Sequence, residues 1–84
     1  MYMTSGICNA IEQDKNFANE IAFACAKFCR NDWGDTCASD KRLNEQALAN
    51  GERIVALYNT SKGKVFIITE TDRAITTILF GHEY

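Results

Sequence analysis

Four cysteines are the residues of this chain best suited to metal binding. Cys25 and Cys29 are four positions apart, which places both thiols on one side of a helix, and Cys37 follows after a short polar loop. With Cys8 or His82 they would supply the four ligands that a structural zinc ion takes. Zinc modules usually hold two cysteines in a C-x2-C turn, however, and this chain has no such spacing. A small zinc-bound module is therefore the alternative, and we predict core thiols and no cofactor.

The same side chains give weak signals for catalysis. A cysteine nucleophile needs a thiol pKa lowered by a helix N-terminus or a nearby cation. Only Cys37 is so placed, and the sole histidine, His82, lies in the last three residues printed. The aspartates of the chain cluster where turns and helix caps are expected, and no glycine-rich phosphate loop or HExxH pattern accompanies them. The sequence therefore predicts a protein that is not an enzyme.

Length, composition and charge exclude several further classes of function. The 84 residues are 46% hydrophobic and 24% charged, which is ordinary for one globular domain spanning residues 1–84. A net charge of −2 creates no basic field for phosphate backbones, so direct nucleic-acid binding is disfavoured. The first residues lack the basic and apolar regions of a signal peptide, and no uncharged run is long enough to span a membrane. We expect a cytoplasmic protein.

Helical spacing dominates the first half, over about residues 5–50. Thr4 or Ser5 can cap a short first helix, and a second helix of about Phe17 to Arg30 repeats apolar residues at helical intervals. The second helix is also apolar on its opposite side, at Phe23, which indicates a central or shared position. A third helix, about Ser39 to Ala49, is expected to place three apolar residues inward: Leu43, Ala47 and Leu48.

The spacing of apolar residues changes from a helical to a two-residue period after Asn50-Gly51, a pair that commonly ends a helix. Three runs rich in β-branched and aromatic residues follow, at 53–58, 64–69 and 74–80, within a sheet part of about residues 52–81. The connections between them are short enough only for hairpins. The sequence therefore predicts an α+β fold, with two to three N-terminal helices packed on a three-stranded antiparallel β-meander. Its outer strands have free edges unless a partner or the N-terminal segment covers them.

A surface that binds another protein is the candidate that these exclusions favour. Trp33 stands in a polar loop between two aspartates, and tryptophan is a common anchor of interfaces. In a small domain a lone tryptophan also often packs between the helices and the sheet. The predicted second hairpin is rich in charged residues. We predict that the partner-binding residues come from this loop and this hairpin: Asp32, Trp33, Asp35, Glu70, Asp72 and Arg73.

A spaced set of residues from Asp32 onward resembles that of a family of short bacterial proteins described as plasmid-related, found on plasmids, conjugative elements and prophages. The set comprises Asp32-Trp33-Gly34-Asp35, Asp40, Asn44, Gly51-x-Arg53-Ile54, Tyr58, Val65-Phe66-Ile67-Ile68-Thr69-Glu70-x-Asp72-Arg73, Thr76-Thr77-Ile78-Leu79-Phe80 and Glu83-Tyr84. The resemblance implies an accessory protein of a mobile genetic element. Small proteins of such elements often disarm host defences by stoichiometric binding, so we expect a non-enzymatic inhibitor of the anti-CRISPR or antirestriction type. The alternative is a homodimeric structural or regulatory protein of a plasmid or phage, which the apolar outer side of the second helix motivates.

Overall fold

Helices precede the main sheet along the chain, as the sequence predicts. The computed structural model describes all residues, 1–84, and contains three α-helices and one four-stranded sheet. The elements are β1 (Tyr2–Met3), α1 (Ser5–Gln13), α2 (Lys15–Cys29), α3 (Ala38–Asn50), β2 (Ile54–Thr60), β3 (Gly63–Thr69), β4 (Thr76–Phe80) and a single 3-10 turn (Gly81–Glu83). None of the helices has the length and apolar content needed to cross a membrane.

Capping side chains set where the helices begin and end. The Thr4 hydroxyl accepts the Ile7 N–H at the start of α1, and the Asp14 carboxylate accepts the N–H groups of the first turn of α2. These bonds satisfy backbone donors that have no partner within the helix. Gly51 ends α3 with a positive φ of 71°, a conformation that glycine adopts without a steric penalty. The predicted boundaries of α2 and α3 are therefore correct to within two residues.

The sheet has one strand more than the sequence predicts. Strands β2, β3 and β4 form the predicted antiparallel meander, but β1 pairs in parallel with β4 and gives the order β1-β4-β3-β2. The prediction of a purely antiparallel, three-stranded sheet is therefore wrong. The sequence does not reveal β1 because two residues cannot display a two-residue period. The pairing is extended by Thr4, whose N–H donates to the carbonyl of Ile78 at 3.1 Å.

Helices α1 and α2 cover one face of the sheet and enclose the core. The two helices contribute Ile7, Phe17, Ile21 and Ala24, and alternate residues of the strands, with Trp33 and Ala47, complete the cluster. The rings of Phe17 and Phe80 stack at 5.6 Å across this interface. Because successive side chains of a strand point to opposite faces, only half of the strand residues take part in this core.

Helix α3 runs along the outer edge of β2 and does not cover a face of the sheet. Its buried residues are Asn44 and Ala47, whereas Leu43 and Leu48 are 59% and 38% exposed. The predicted inward orientation is therefore confirmed for Ala47 and wrong for the two leucines. The physical reason is that α3 faces backbone hydrogen-bonding groups at a strand edge, where a polar side chain is a better neighbour than leucine.

Contacts within the chain occupy the outer edge of β2. On β2, the amide of Asn44 donates to the Val55 carbonyl at 2.9 Å and accepts the Val55 N–H at 3.2 Å. Further along β2, Thr36 Oγ1 accepts the Leu57 N–H and the Asp35 N–H donates to the Leu57 carbonyl. On the other side of the sheet, β1 covers β4. Strand addition by a partner is therefore obstructed at β2, and at the opposite end of the sheet β1 offers an edge of only two residues.

Candidate interaction surface

The loop between α2 and α3 is held by contacts within the chain. The Asp32 carboxylate accepts the Gly34 N–H at 3.0 Å, and the Asp35 carboxylate accepts the Asn59 N–H at 2.8 Å. Trp33 is only 4% exposed and packs in the core, so the expectation of an exposed tryptophan anchor is wrong. The two aspartates are exposed and remain predicted contact residues, but their hydrogen bonds already account for their presence.

The second predicted group, in the β3–β4 hairpin, also makes structural contacts. The Glu70 carboxylate forms an ion pair with Arg53 at 3.3 Å, and the Asp72 carboxylate accepts the Ala74 N–H at 3.0 Å. Arg73 has a positive φ of 64° and donates to the carbonyls of Ala47 and Glu52, at 2.7 and 2.6 Å. Its guanidinium therefore ties the hairpin to the last turn of α3.

The structure does not bring the two predicted groups together in one patch. The Trp33 loop contacts β2 at Leu57 and Asn59, whereas the β3–β4 hairpin lies beside the beginning of β2, where Ile54 pairs with Thr69. Three to five residues of an extended strand separate these positions, which is about 10–17 Å. A single partner would have to cover the whole length of β2 to contact both groups.

The four cysteines are free thiols in different environments. Cys8 and Cys25 are half-buried, whereas Cys29 and Cys37 are exposed, so the prediction of core thiols is wrong for the second pair. Burial, followed by the neighbouring thiol of Cys29, raises the pKa of Cys25. No group of three or more His, Cys, Asp or Glu side chains is placed to hold a metal ion. His82 stacks instead on the ring of a phenylalanine of β4.

The face of the sheet opposite α1 and α2 is the largest feature that the predicted site residues do not include. Eight positions of β2, β3 and β4 point to this side, and five of them are apolar. We call these five the open sheet face: Val55, Leu57, Phe66, Ile68 and Leu79. None of the five belongs to the core cluster that the helices enclose, and the first three are only half-buried.

Such a composition is unusual for a sheet face without a helical layer. An antiparallel sheet with one solvated face normally alternates apolar residues inside with polar residues outside. Here the outward positions of neighbouring strands pair apolar residues with each other, as Leu57 pairs with Phe66 and Phe66 with Leu79. Ile68 and Leu79 are 4% and 9% exposed and the other three are half-buried, so the patch is contiguous and partly accessible, and apolar patches of this kind are typical of interaction sites.

Aromatic and charged side chains border the open sheet face at one end. The ring of Tyr84 meets that of Phe66 edge-on, with the centroids 5.0 Å apart. The Arg53 guanidinium donates to the Tyr84 hydroxyl at 3.2 Å, lies 5.7 Å from the centroid of its ring, and also pairs with Glu70. This arrangement holds an exposed tyrosine and an exposed arginine beside an apolar surface, and both residue types are frequent in interface hot spots.

Two adjacent cavities follow the boundary between the open sheet face and α3. One has a volume of about 350 Å³ and the other about 230 Å³, and both are lined by Asp40, Val55 and Phe66. Leu43 and Tyr84 extend the wall of the larger cavity. The exposed Leu43, for which the helical spacing predicts an inward orientation, thus belongs to this surface.

The sequence contains a signal for this surface that the prediction of site residues missed. Ile54–Tyr58 and Val65–Ile68 are continuous apolar runs and do not alternate with polar residues. Continuous runs are typical of strands that are covered on both faces. Since α1 and α2 can cover only one face of the sheet, such runs indicate that the second face is also a contact surface.

Comparison with protein-family models, with curated proteins and with solved structures finds no match to this chain. The resemblance of the residues after Asp32 to plasmid-related proteins stays a prediction.

Proposed function

We propose that this chain is a non-enzymatic protein-binding accessory protein of a mobile genetic element, and that it inhibits a host defence complex by stoichiometric binding. The observation that carries the binding role is the open sheet face, an apolar surface at positions where a solvated sheet would have polar residues. The resemblance to plasmid-related proteins supports the second part, the anti-CRISPR or antirestriction type of target.

The layout of this surface supports protein binding more than small-molecule binding. Typical interfaces have an apolar centre and a polar rim that stays accessible to water. The half-buried Val55, Leu57 and Phe66 provide such a centre, while Arg53 and Asp40 are exposed at its border. The cavities beside α3 have the volume of one or a few side chains, so they suit side chains that project from a partner.

The occupied outer edge of β2, the longer of the two edge strands, supports the mode of binding. A partner that adds a strand needs free N–H and C=O groups on an edge strand. On β2, such groups of Val55 and Leu57 are already occupied by Asn44, Thr36 and Asp35. The partner in this proposal therefore docks on the face of the sheet through side chains.

Nuclease protection tests the proposal. The purified protein is added to CRISPR effector complexes and restriction endonucleases from bacteria that carry such elements, and cleavage of target DNA is measured. We expect at least one of them to lose activity near equimolar inhibitor, with the inhibitor and the nuclease eluting together in size-exclusion chromatography. Full cleavage by every nuclease at large molar excess, with no co-elution, would overturn the proposal.

A further inference from the structure

The two cavities between the open sheet face and α3 lie side by side and combine two kinds of surface. They share Asp40, Val55 and Phe66, and we call them together the α3 groove. The larger cavity extends to Tyr84 and the smaller one to Asp35. One side of the groove is therefore apolar, formed by the open sheet face, whereas α3 and the loop before it supply carboxylates.

The charge along the α3 groove is negative. Asp35 and Asp40 are exposed, and neither forms an ion pair with a cation of this chain. Arg53 is the one cation among the lining residues, and its charge is already offset by Glu70. The N-terminus of α3 contributes about half a positive charge, which the two carboxylates outweigh. A partner with a positive charge beside an apolar group is thus complementary to this groove.

We propose that the α3 groove binds an arginine side chain of the partner protein, with the methylene stem on Val55 and Phe66 and the guanidinium at the Asp40 carboxylate. Arginine combines an apolar stem with a charged planar head. The head pairs with carboxylates through two parallel hydrogen bonds and is attracted to aromatic rings. These are the two kinds of group that the groove places next to each other.

The chain itself contains the same combination at the end of the groove. The Arg53 guanidinium lies 5.7 Å from the centroid of the Tyr84 ring and pairs with Glu70 at 3.3 Å. Phe66 and Asp40 provide a second aromatic ring and a second carboxylate, and neither is paired with a cation of this chain. An arginine from the partner would repeat the internal arrangement one step along the groove.

Other side chains match the groove less well. A purely apolar side chain would cover the Asp40 carboxylate without giving it a charge or a hydrogen bond, and burying an unpaired charge is costly. An acidic side chain would be repelled by the two carboxylates. Lysine carries the right charge, but its ammonium group is compact and strongly hydrated and lacks the planar head that stacks on a ring.

The proposal has a consequence for the proposed function, on which this step alone rests. Enzymes that cleave DNA hold the phosphates through arginine and lysine side chains. The surface of a nuclease that best matches the α3 groove is therefore the one that contacts DNA. Inhibitor and DNA should then exclude each other from the enzyme.

Nuclear magnetic resonance titrations with two capped tripeptides test the arginine site without a nuclease. One peptide is Leu-Arg-Leu, and the other replaces arginine by citrulline, which keeps the stem and the planar head but has no charge. We expect the arginine peptide to bind in the millimolar range and to shift the backbone amide signals of the shared groove residues, Asp40, Val55 and Phe66.

Matched variants identify the carboxylate. Removing the charge from either side, by citrulline or by Asp40→Asn, should weaken binding by about two- to fivefold. The two losses should not add, because both remove the same ion pair. Glu45→Gln removes the same charge from an exposed position of α3 outside the groove and should bind like the wild type.

Three outcomes would overturn the inference: no shifts from the arginine peptide at millimolar concentration, shifts confined to residues outside the groove, or equal affinity for the two peptides. The result is separable from that for the proposed function. An arginine peptide that binds while every nuclease stays active would contradict the proposed function alone. An inhibited nuclease, together with a groove that ignores the arginine peptide, would contradict this inference alone.

Discussion

Asn44 is the residue whose removal tests the fold most sharply. Its side chain is only 4% exposed and makes both hydrogen bonds that a neighbouring strand would make to Val55. In this way one amide occupies the outer edge of β2 near the start of the strand and attaches α3 to the sheet. Asn44→Ala removes both bonds and leaves a half-buried N–H and C=O without partners.

The expected loss follows from these two bonds. A buried backbone group left unpaired costs about 1–3 kcal/mol, so Asn44→Ala should lower the free energy of unfolding by about 2–4 kcal/mol. A domain of this size has about 4–13 kcal/mol in total. At about 4–8 °C per kcal/mol, the melting temperature should fall by about 8–32 °C. Gln46→Ala, an exposed position on the same helix, is the control and should change stability by at most about 0.5 kcal/mol.

A second substitution at this position adds a pH dependence whose sign is fixed by the geometry. In Asn44→Asp, one carboxylate oxygen still accepts the Val55 N–H, but the other faces the Val55 carbonyl, where the amide had donated. Burial and this repulsion raise the pKa of the introduced carboxyl in the folded state above its unfolded value of about 3.9. The unfolded state therefore loses the proton first, so stability should fall as pH rises and recover in acid.

Urea unfolding followed by circular dichroism measures both variants across the pH range. An Asn44→Ala variant as stable as the Gln46→Ala control would refute the role assigned to this amide. An Asn44→Asp variant that shows no gain in stability, relative to the wild type, on acidification would refute the orientation of its two hydrogen bonds.

Three further predictions concern the core, the stability of the fold at low pH and the reactivity of the thiols. Ile67→Asp should unfold the domain, because this fully buried residue lies in the central part of the sheet. Asp72→Ala removes one exposed turn contact and should leave the fold intact. Equal shifts of the melting temperature for the two variants would contradict the sheet order. A backbone N–H and a threonine hydroxyl hold the pKa of Glu83 below its usual value, so the unfolded state binds the proton more readily and stability should fall as pH drops below about 5. Glu83→Gln should reduce this loss of stability in acid. If chemical unfolding shows the same dependence of the free energy of unfolding on pH as in the wild type, the result would argue against the hydrogen bonds of Glu83. A thiol reagent should label Cys29 and Cys37 before the two half-buried cysteines, and four equal labelling rates would contradict their placement.

Local signals allowed most of the fold to be predicted from the sequence. Capping residues, the Asn50-Gly51 stop and the two hairpins act within a few residues of each other, so their physical effect is visible in the printed sequence. Strand β1 was missed because its stability comes from pairing with β4, at the far end of the chain. The orientation of α3 was also missed, since nothing local shows that Asn44 would face a strand edge.

The candidate site was harder to predict for the same reason. The six residues chosen from the sequence were conspicuous by type, and the structure shows that each also makes an intramolecular contact, with Trp33 in the core and Arg73 on the end of α3. Charged and aromatic residues in loops serve folding and binding alike, so residue type does not separate the two roles. The open sheet face became visible only when strand pairing placed Leu57 beside Phe66.

The central claim is that the open sheet face is the surface that binds another protein. The most direct measurement compares Leu57→Lys, a half-buried position of this face beside Phe66, with Gln46→Lys, which adds the same charge on an exposed part of α3. Each variant is titrated against the inhibited nuclease in isothermal calorimetry. Placing a charge at an apolar interface centre typically weakens binding by more than 2 kcal/mol, or about thirtyfold, so we predict this loss for Leu57→Lys alone. Wild-type affinity in a folded Leu57→Lys variant would contradict the claim.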